Sequence, residues 1–294
     1  FSELAPEIEK TEEAFVSQIL SKFVMNVTAL NAYLKCPLGF YYRNLLRIPS
    51  GKNENTEFGS AVHYAVEKLF TKMKAHPGEQ FPSSDEMIGD FEWYMRKHRE
   101  NFTKEAFNRR MEYGHDVLKN YYDKYIHTWN KVVAVERNIR HVVVNDVPLK
   151  GKLDKLEFNG KEVNVVDYKT GNIEKALPKL KSPDAKNPEG GDYWRQAVFY
   201  KILVDYHQHD WKVVSTEFDF IEPDKNGNYR KEKIVISPAD METVKHQIKE
   251  VWDKIQQRDF YTGCGKKDCH WCNFVKDNQL AVELHQLMEE DEET

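Results

Sequence analysis

The sequence predicts an α/β fold, a mixed central sheet flanked by helices and carrying a helical insertion. Three observations predict it. Strand-rich stretches at about 132–169 and 213–236 are each punctuated by Asn-Asp or Asn-Gly pairs, which mark hairpins. Apolar residues recur instead at helical spacing over 7–25, 85–128 and 238–257. Val163, Val165 and Val166 make one strand apolar on both faces, as an interior strand requires.

Taken in order, residues 1–26 form a leading helical segment on Ile8, Phe15, Ile19, Leu20 and Phe23. Thr28 is placed to cap a second helix that Pro37 stops near Cys36, and an aromatic segment, Phe40-Tyr41-Tyr42, follows. Arg43 and Arg47 read first as a solvated helix face and second as phosphate contacts. Phe58-Gly59-Ser60-Ala61-Val62-His63 opens the next helix, with Ser60 as the expected cap. That start puts His63 in the first turn, where the helix dipole favours the neutral imidazole that a metal needs. A hydrogen-bonded core histidine is the plainer alternative. Glu67, one turn later, is placed to orient it.

Residues 76–128 are the expected insertion, a loop over 76–84 and then one long or broken helical region with Gly114 as the break. Its aromatic stripe reads as core. Val132 to Val144 is strand-rich, and Asn145-Asp146 turns into the strand that carries Asp154. Residues 172–191, with Lys175, Lys179, Lys181 and Lys186, read as a mobile loop beside the active face, its cations tracking phosphates or simply solvated. The helix from Asp192 puts Gln196 and Tyr200 on one face. A second hairpin surrounds Asn226-Gly227-Asn228, and Ser237-Pro238 starts a helix that ends near 257.

The chemistry converges on residues 150–172. With Asn159-Gly160 as a two-residue loop, Phe158 faces Lys161 and Asp154 faces Val165. Asp167 is then the diagonal neighbour of Asp154 on the same face, about 7–8 Å away between backbones. Lys169 points the same way. Two buried like charges at that distance need a cation. A divalent metal, with magnesium–oxygen distances of about 2.0–2.1 Å, fits between them. A surface hairpin with solvated charges is the alternative.

Four cysteines are too few for a secreted disulfide scaffold of 294 residues. Cys264, Cys269 and Cys272 lie in one short loop, which points to metal in a reducing, cytoplasmic setting. Soft thiolates select zinc or iron–sulfur clusters, with Cys36 or His270 as the fourth ligand. Net charge is −5, and Glu289, Glu290, Asp291, Glu292 and Glu293 of the C-terminal acidic tail (276–294) supply as many negatives. The rest is balanced, so a nucleic-acid surface has to be a local patch. No apolar run is long enough to span a membrane. Neither a P-loop nor a dinucleotide-binding glycine fingerprint occurs.

Gly151-Lys152-Leu153-Asp154 followed by Val166-Asp167-Tyr168-Lys169-Thr170-Gly171 resembles the active-site hairpin of the PD-(D/E)XK nuclease superfamily, and most of all its RecB-like exonuclease branch. Leu30-x-x-Tyr33-x-x-Cys36-Pro37, Gly59-Ser60-Ala61-Val62-His63 and Gln196-x-x-x-Tyr200 resemble further motifs of that branch in the same order. The resemblance covers most of 27–275, with a catalytic core at about 130–236 and a cysteine loop at 264–272. It implies a restriction-endonuclease-like core in which His63, Asp154, Asp167 and the backbone carbonyl of Tyr168 hold magnesium or manganese. Lys169 activates water, Gln196 and Tyr200 lie near Lys169 and the DNA backbone, and Glu136 stands beside the site. It further implies a [4Fe–4S] cluster on Cys36, Cys264, Cys269 and Cys272, with zinc as the alternative. The family's C-terminal triplet more often places its extra cysteine last, whereas here it comes first.

The expected activity is metal-dependent hydrolysis of phosphodiester bonds in DNA, single-stranded or at a duplex end, by an exonuclease or endonuclease. The alternative is a catalytically silent DNA-binding or scaffolding module of the same fold. RecB-like domains commonly end helicase–nuclease chains, and the start at Phe1 fits a helicase domain elsewhere in a parent chain or complex.

Overall fold

The computed structural model describes residues 5–10, 13–49, 53–207 and 210–282; the acidic run at 289–293 lies outside them. In chain order the elements are α1 (Glu13–Leu20), α2 (Val27–Lys35), α3 (Pro37–Phe40), α4 (Glu54–Ala75), α5 (Ser84–Lys97), α6 (Lys104–Tyr125), β1 (Val133–Val144), β2 (Val147–Asn159), β3 (Glu162–Lys169), α7 (Ile173–Ala176), α8 (Asp192–His207), β4 (Lys212–Phe220), β5 (Arg230–Ile234), α9 (Pro238–Gln256) and α10 (His270–Asp277). The sheet order is β1-β2-β3-β4-β5. β3 pairs antiparallel with β2 and parallel with β4, and β4 pairs antiparallel with β5, so the sheet is mixed. Among the described residues no helix is long and apolar enough to cross a membrane.

The hairpin register differs from the sequence expectation by two residues. Asn159 pairs with Glu162 and Phe158 with Val163, so the loop is Gly160-Lys161. Gly160 takes φ +61 at the first loop position, as a II′ turn requires, and Asn159 stays in the strand. The pairing ends at Lys155–Val166, so Asp154 lies just beyond it, its side chain accepting from Tyr168 N–H on β3.

Helix starts also moved. Asn26, not Thr28, caps α2 through Ala29 N–H (2.8 Å). α4 begins nine residues before His63, because Asn53 accepts from Thr56 N–H (2.9 Å) and Glu54 and Glu57 favour the first turn. His63 is therefore far from the positive end of its helix. The insertion breaks at 98–103 and not at Gly114, which lies inside α6. A Cβ on Gly114 would stand 2.2 Å from Cζ of the buried Phe91. The 172–191 stretch is held rather than loose. It contains α7 and a 3₁₀ turn, and the buried Arg195 guanidinium donates to the carbonyls of Glu189 (2.6 Å) and Gly190 (3.1 Å).

The chain divides into two compact units. The larger, 51–140 and 151–241, contains α4–α8, β3–β5 and most of β1 and β2. Val62, Phe70, Phe91, Leu118 and Tyr121 of α4–α6 form one buried cluster with Val166 and Tyr168 of β3. Burying each such side chain stabilises the fold by about 1.5–3 kcal/mol. Residues 165 and 167 of β3 point to the other face, where α8 packs along β4. Gly151 allows close approach there, since a Cβ would lie 2.6 Å from Leu203 Cδ2.

The smaller unit comprises 1–50, 141–150 and 242–294. Met25 lies across from Leu149, with Met25 N–H on the Pro148 carbonyl and Lys150 N–H on the Met25 carbonyl (both 2.9 Å). Its aromatic residues interlock. Tyr41 stacks on Phe260 at 5.5 Å and Tyr42 on Trp271 at 5.1 Å.

Candidate active site

Period-two alternation puts Asp167 and Lys169 on one face of β3, and Asp154 and Asp167 each lie one residue beyond the last β2–β3 pair, Lys155–Val166. Asp154 Oδ2 accepts from Tyr168 N–H (2.9 Å) and lies 3.5 Å from Nδ1 of the half-buried His63. Burial alone would raise the Asp154 carboxyl, but His63 and the Tyr168 N–H outweigh it and hold the group below the usual carboxylate range. Burial pushes the His63 imidazole down, yet Asp154, with Asp167 behind it, pulls it up further, so the net shift favours the proton.

Asp167 is 5% exposed. Its Oδ1 accepts from Gln196 Nε2 (3.1 Å) and Tyr200 OH (3.3 Å). Lys169 Nζ stands 2.8 Å from Oδ2 as a charge-assisted contact and also donates to Gln196 Oε1 (2.9 Å). Burial raises the Asp167 carboxyl, and Lys169 offsets only part of that. Gln196 Nε2 also meets Tyr200 OH at 2.7 Å, closing a network of four side chains. The helical i, i+4 spacing on α8 brings that pair onto the carboxylate.

A cavity of about 490 Å³ opens beside His63 and Asp154, and Glu67, Glu136, Lys152 and Thr170 line it. Glu136, at φ +51 in β1, pairs with Lys152, and burial raises its carboxyl. Lys152 and Tyr193 escaped the sequence reading. Lys152 lies two residues before Asp154, so alternation alone would have found it. Tyr193, whose ring lies 4.3 Å from Lys169 Nζ, gave no signal beyond its place one turn before Gln196.

Two carboxylates and an imidazole are a donor set for manganese or magnesium. Their ligand atoms do not converge as closely as the thiolates do. Among the described residues, the cluster with all ligand atoms within 4.8 Å of one another is Cys36, Cys264, Cys269 and Cys272. The raised His63 and Asp167 are what a site built around a further cation would leave behind.

In the smaller unit, Cys36 comes from the α2–α3 junction, Cys264 and Cys269 from the loop into α10, and Cys272 from the first turn of α10. Cys272 Sγ is 3.9 Å from Cys36 Sγ and 3.8 Å from Cys264 Sγ. His270 is not part of this cluster. A single tetrahedral zinc, at about 2.3 Å from each sulfur, sets thiolates about 3.8 Å apart. An iron–sulfur cubane places irons and sulfides between its thiolates and needs them farther apart.

The profile of the PD-(D/E)XK nuclease superfamily matches residues 24–276. The crystal structure of a candidate exonuclease from Eubacterium rectale is similar in fold, with a TM-score of 0.51 at 14% identity over 91% of this chain and 93% of its own. A structure of a protein called SSO0001 is more distant, with a TM-score of 0.30 at 10% identity over 83% of this chain and 86% of its own. No curated protein matches the sequence.

Proposed function

Because this chain belongs to the PD-(D/E)XK nuclease superfamily, we propose that it is a metal-dependent deoxyribonuclease that hydrolyses phosphodiester bonds at the Asp154–Asp167–Lys169 face. The observation that carries this reading is the network in which Gln196 ties Lys169 Nζ to Asp167 Oδ1. His63, Asp154, Asp167 and the Tyr168 carbonyl are the proposed holders of magnesium or manganese, which supplies Lewis-acid charge to the phosphate. Lys169 then orients the attacking water and offsets charge developing on the phosphoryl oxygens. Gln196 fixes the Lys169 ammonium, and Tyr200 fixes Gln196. The order of the motifs also supports a RecB-like exonuclease acting on single strands or duplex ends in association with a helicase, and the free cysteines fit a reducing, cytoplasmic setting.

For the thiolates we propose one zinc ion, because the Cys272–Cys36 and Cys272–Cys264 separations of 3.9 and 3.8 Å match the tetrahedral edge. Iron–sulfur ligation is the alternative that the family motif favours. Metal analysis decides: one zinc per chain in colourless protein supports zinc, whereas brown protein with visible charge-transfer absorbance overturns it.

Activity is tested with Asp167→Ala and Lys169→Ala against DNA with magnesium or manganese. Each should lower turnover by a factor of about 100–1000. Wild-type rates in both variants would remove these residues from the site. Wild-type protein that binds DNA without cutting it in either metal would instead support a silent binding module.

A further inference from the structure

The unit that carries the thiolates has a cavity of about 640 Å³, within the range of ligand sites. Four cations reach it from separate stretches, Lys22 after α1, Arg43 and Arg47 after α3, and Lys150 in β2, and no described Asp or Glu lines it. All four are exposed and have no ion-pair partner among the described residues. In a chain of 48 acids and 43 bases, that is a local departure. The partly exposed Lys245, Lys249 and Lys254 of α9, by contrast, each pair with an acid within about one turn. Repulsion among four unpaired cations around one cavity is relieved by a polyanion.

The backbone beneath them is irregular. Tyr41–Leu45 is a π turn, closed by Leu46 N–H on the Tyr41 carbonyl (2.9 Å). Arg47 follows at φ +52, left-handed for a non-glycine residue. Both features cluster at functional sites, where the surroundings hold an unfavourable conformation for a purpose.

The remaining lining narrows the ligand. Asn44 Oδ1 is buried, lacks a hydrogen-bond partner and belongs to the cavity wall. It accepts a hydrogen bond, which a phosphate oxygen cannot give and a base N–H can. Phe15, 46% exposed, and Ile19 offer an apolar face to a base. We propose that this cavity binds single-stranded nucleic acid, phosphates on the four cations and an unpaired base against Phe15 and Asn44. The choice of nucleic acid rests on the nuclease reading, but binding here requires neither turnover nor divalent metal.

The test is anisotropy of labelled oligo-dT without added magnesium or manganese, titrated against salt, with thermal melting as the check on folding. Arg43→Ala/Arg47→Ala should bind about 25-fold more weakly at about 0.1 M salt, with the log–log salt slope reduced by about 1.4 for two lost phosphates. Lys22→Ala/Lys150→Ala, which alters other elements, should do the same. Phe15→Ala should weaken oligo-dT but leave an abasic strand unchanged. Wild-type affinity and slope in both double variants would overturn the proposal. So would oligoglutamate of equal charge competing as well as oligo-dT, which would make this an acidic-peptide site. Loss of nuclease activity in Asp167→Ala with oligo-dT binding intact keeps the two conclusions separate.

Discussion

At the scale of single residues, Gln196 does the most with the least. Its amide meets a cation, a carboxylate and a phenol at once. Gln196→Ala should cost roughly 10–100-fold in metal affinity or activity, as loss of an orienting partner does, while Lys169 and Asp167 remain. Tyr200→Phe removes one hydroxyl at an otherwise filled position and should cost about 0.5–1.5 kcal/mol of stability, read from denaturant midpoints. A Gln196→Ala enzyme with unchanged metal dependence would return that residue to packing. Both residues were legible because helical spacing fixes i and i+4 on one face. The alternation of β2 and β3 likewise exposed Asp154, Asp167 and Lys169. The exact pairing was not legible, because Asn159-Gly160 and Gly160-Lys161 are both good turns, and moving the loop by one residue moves the pairing by two, which leaves every side chain on the same face.

Elements show where local signals mislead. Gly114 reads as a helix breaker from the sequence, yet the helix runs through it and Phe91 fills the space a side chain would take. Gly114→Ala gains about 1 kcal/mol of helix propensity. Forcing a methyl against a buried ring costs about 1–3 kcal/mol. The clash should win, and a chemical-denaturation midpoint below wild type is the expected result; a midpoint above it would mean that Phe91 yields freely. The start of α4 was missed for a related reason. Ser60 is a good cap residue, but Asn53 is another, and nothing within ten residues says which one the packing selects.

Over the whole molecule, charge couples to pH through the site. His63 and Asp167 both hold protons more tightly than usual when no metal is bound. Each must release its proton to become a ligand, so metal binding is linked to proton release. Stability contributed by the protonated forms is present at low pH and lost as pH rises through their raised values. Manganese should therefore raise the melting temperature more at about pH 8 than at about pH 5. An equal increment at both would exclude these two as ligands. Thiolate pairing over more than two hundred residues was beyond local pattern, and only the Cys-Pro resemblance connected Cys36 to the C-terminal loop.

The smaller unit draws its residues from 1–50, 141–150 and 242–294. During synthesis, then, α3 and the turn after it leave the ribosome with Phe40 and Tyr41 shaped for a partner that does not yet exist. Phe260 and Cys272 arrive only after some two hundred further residues have been made. At about 5–20 residues per second, that interval is of order ten to forty seconds. For that time an aromatic surface is offered to chaperones and to neighbouring nascent chains, so yield in the cell should depend on translation speed and chaperone supply more than equilibrium stability alone would suggest.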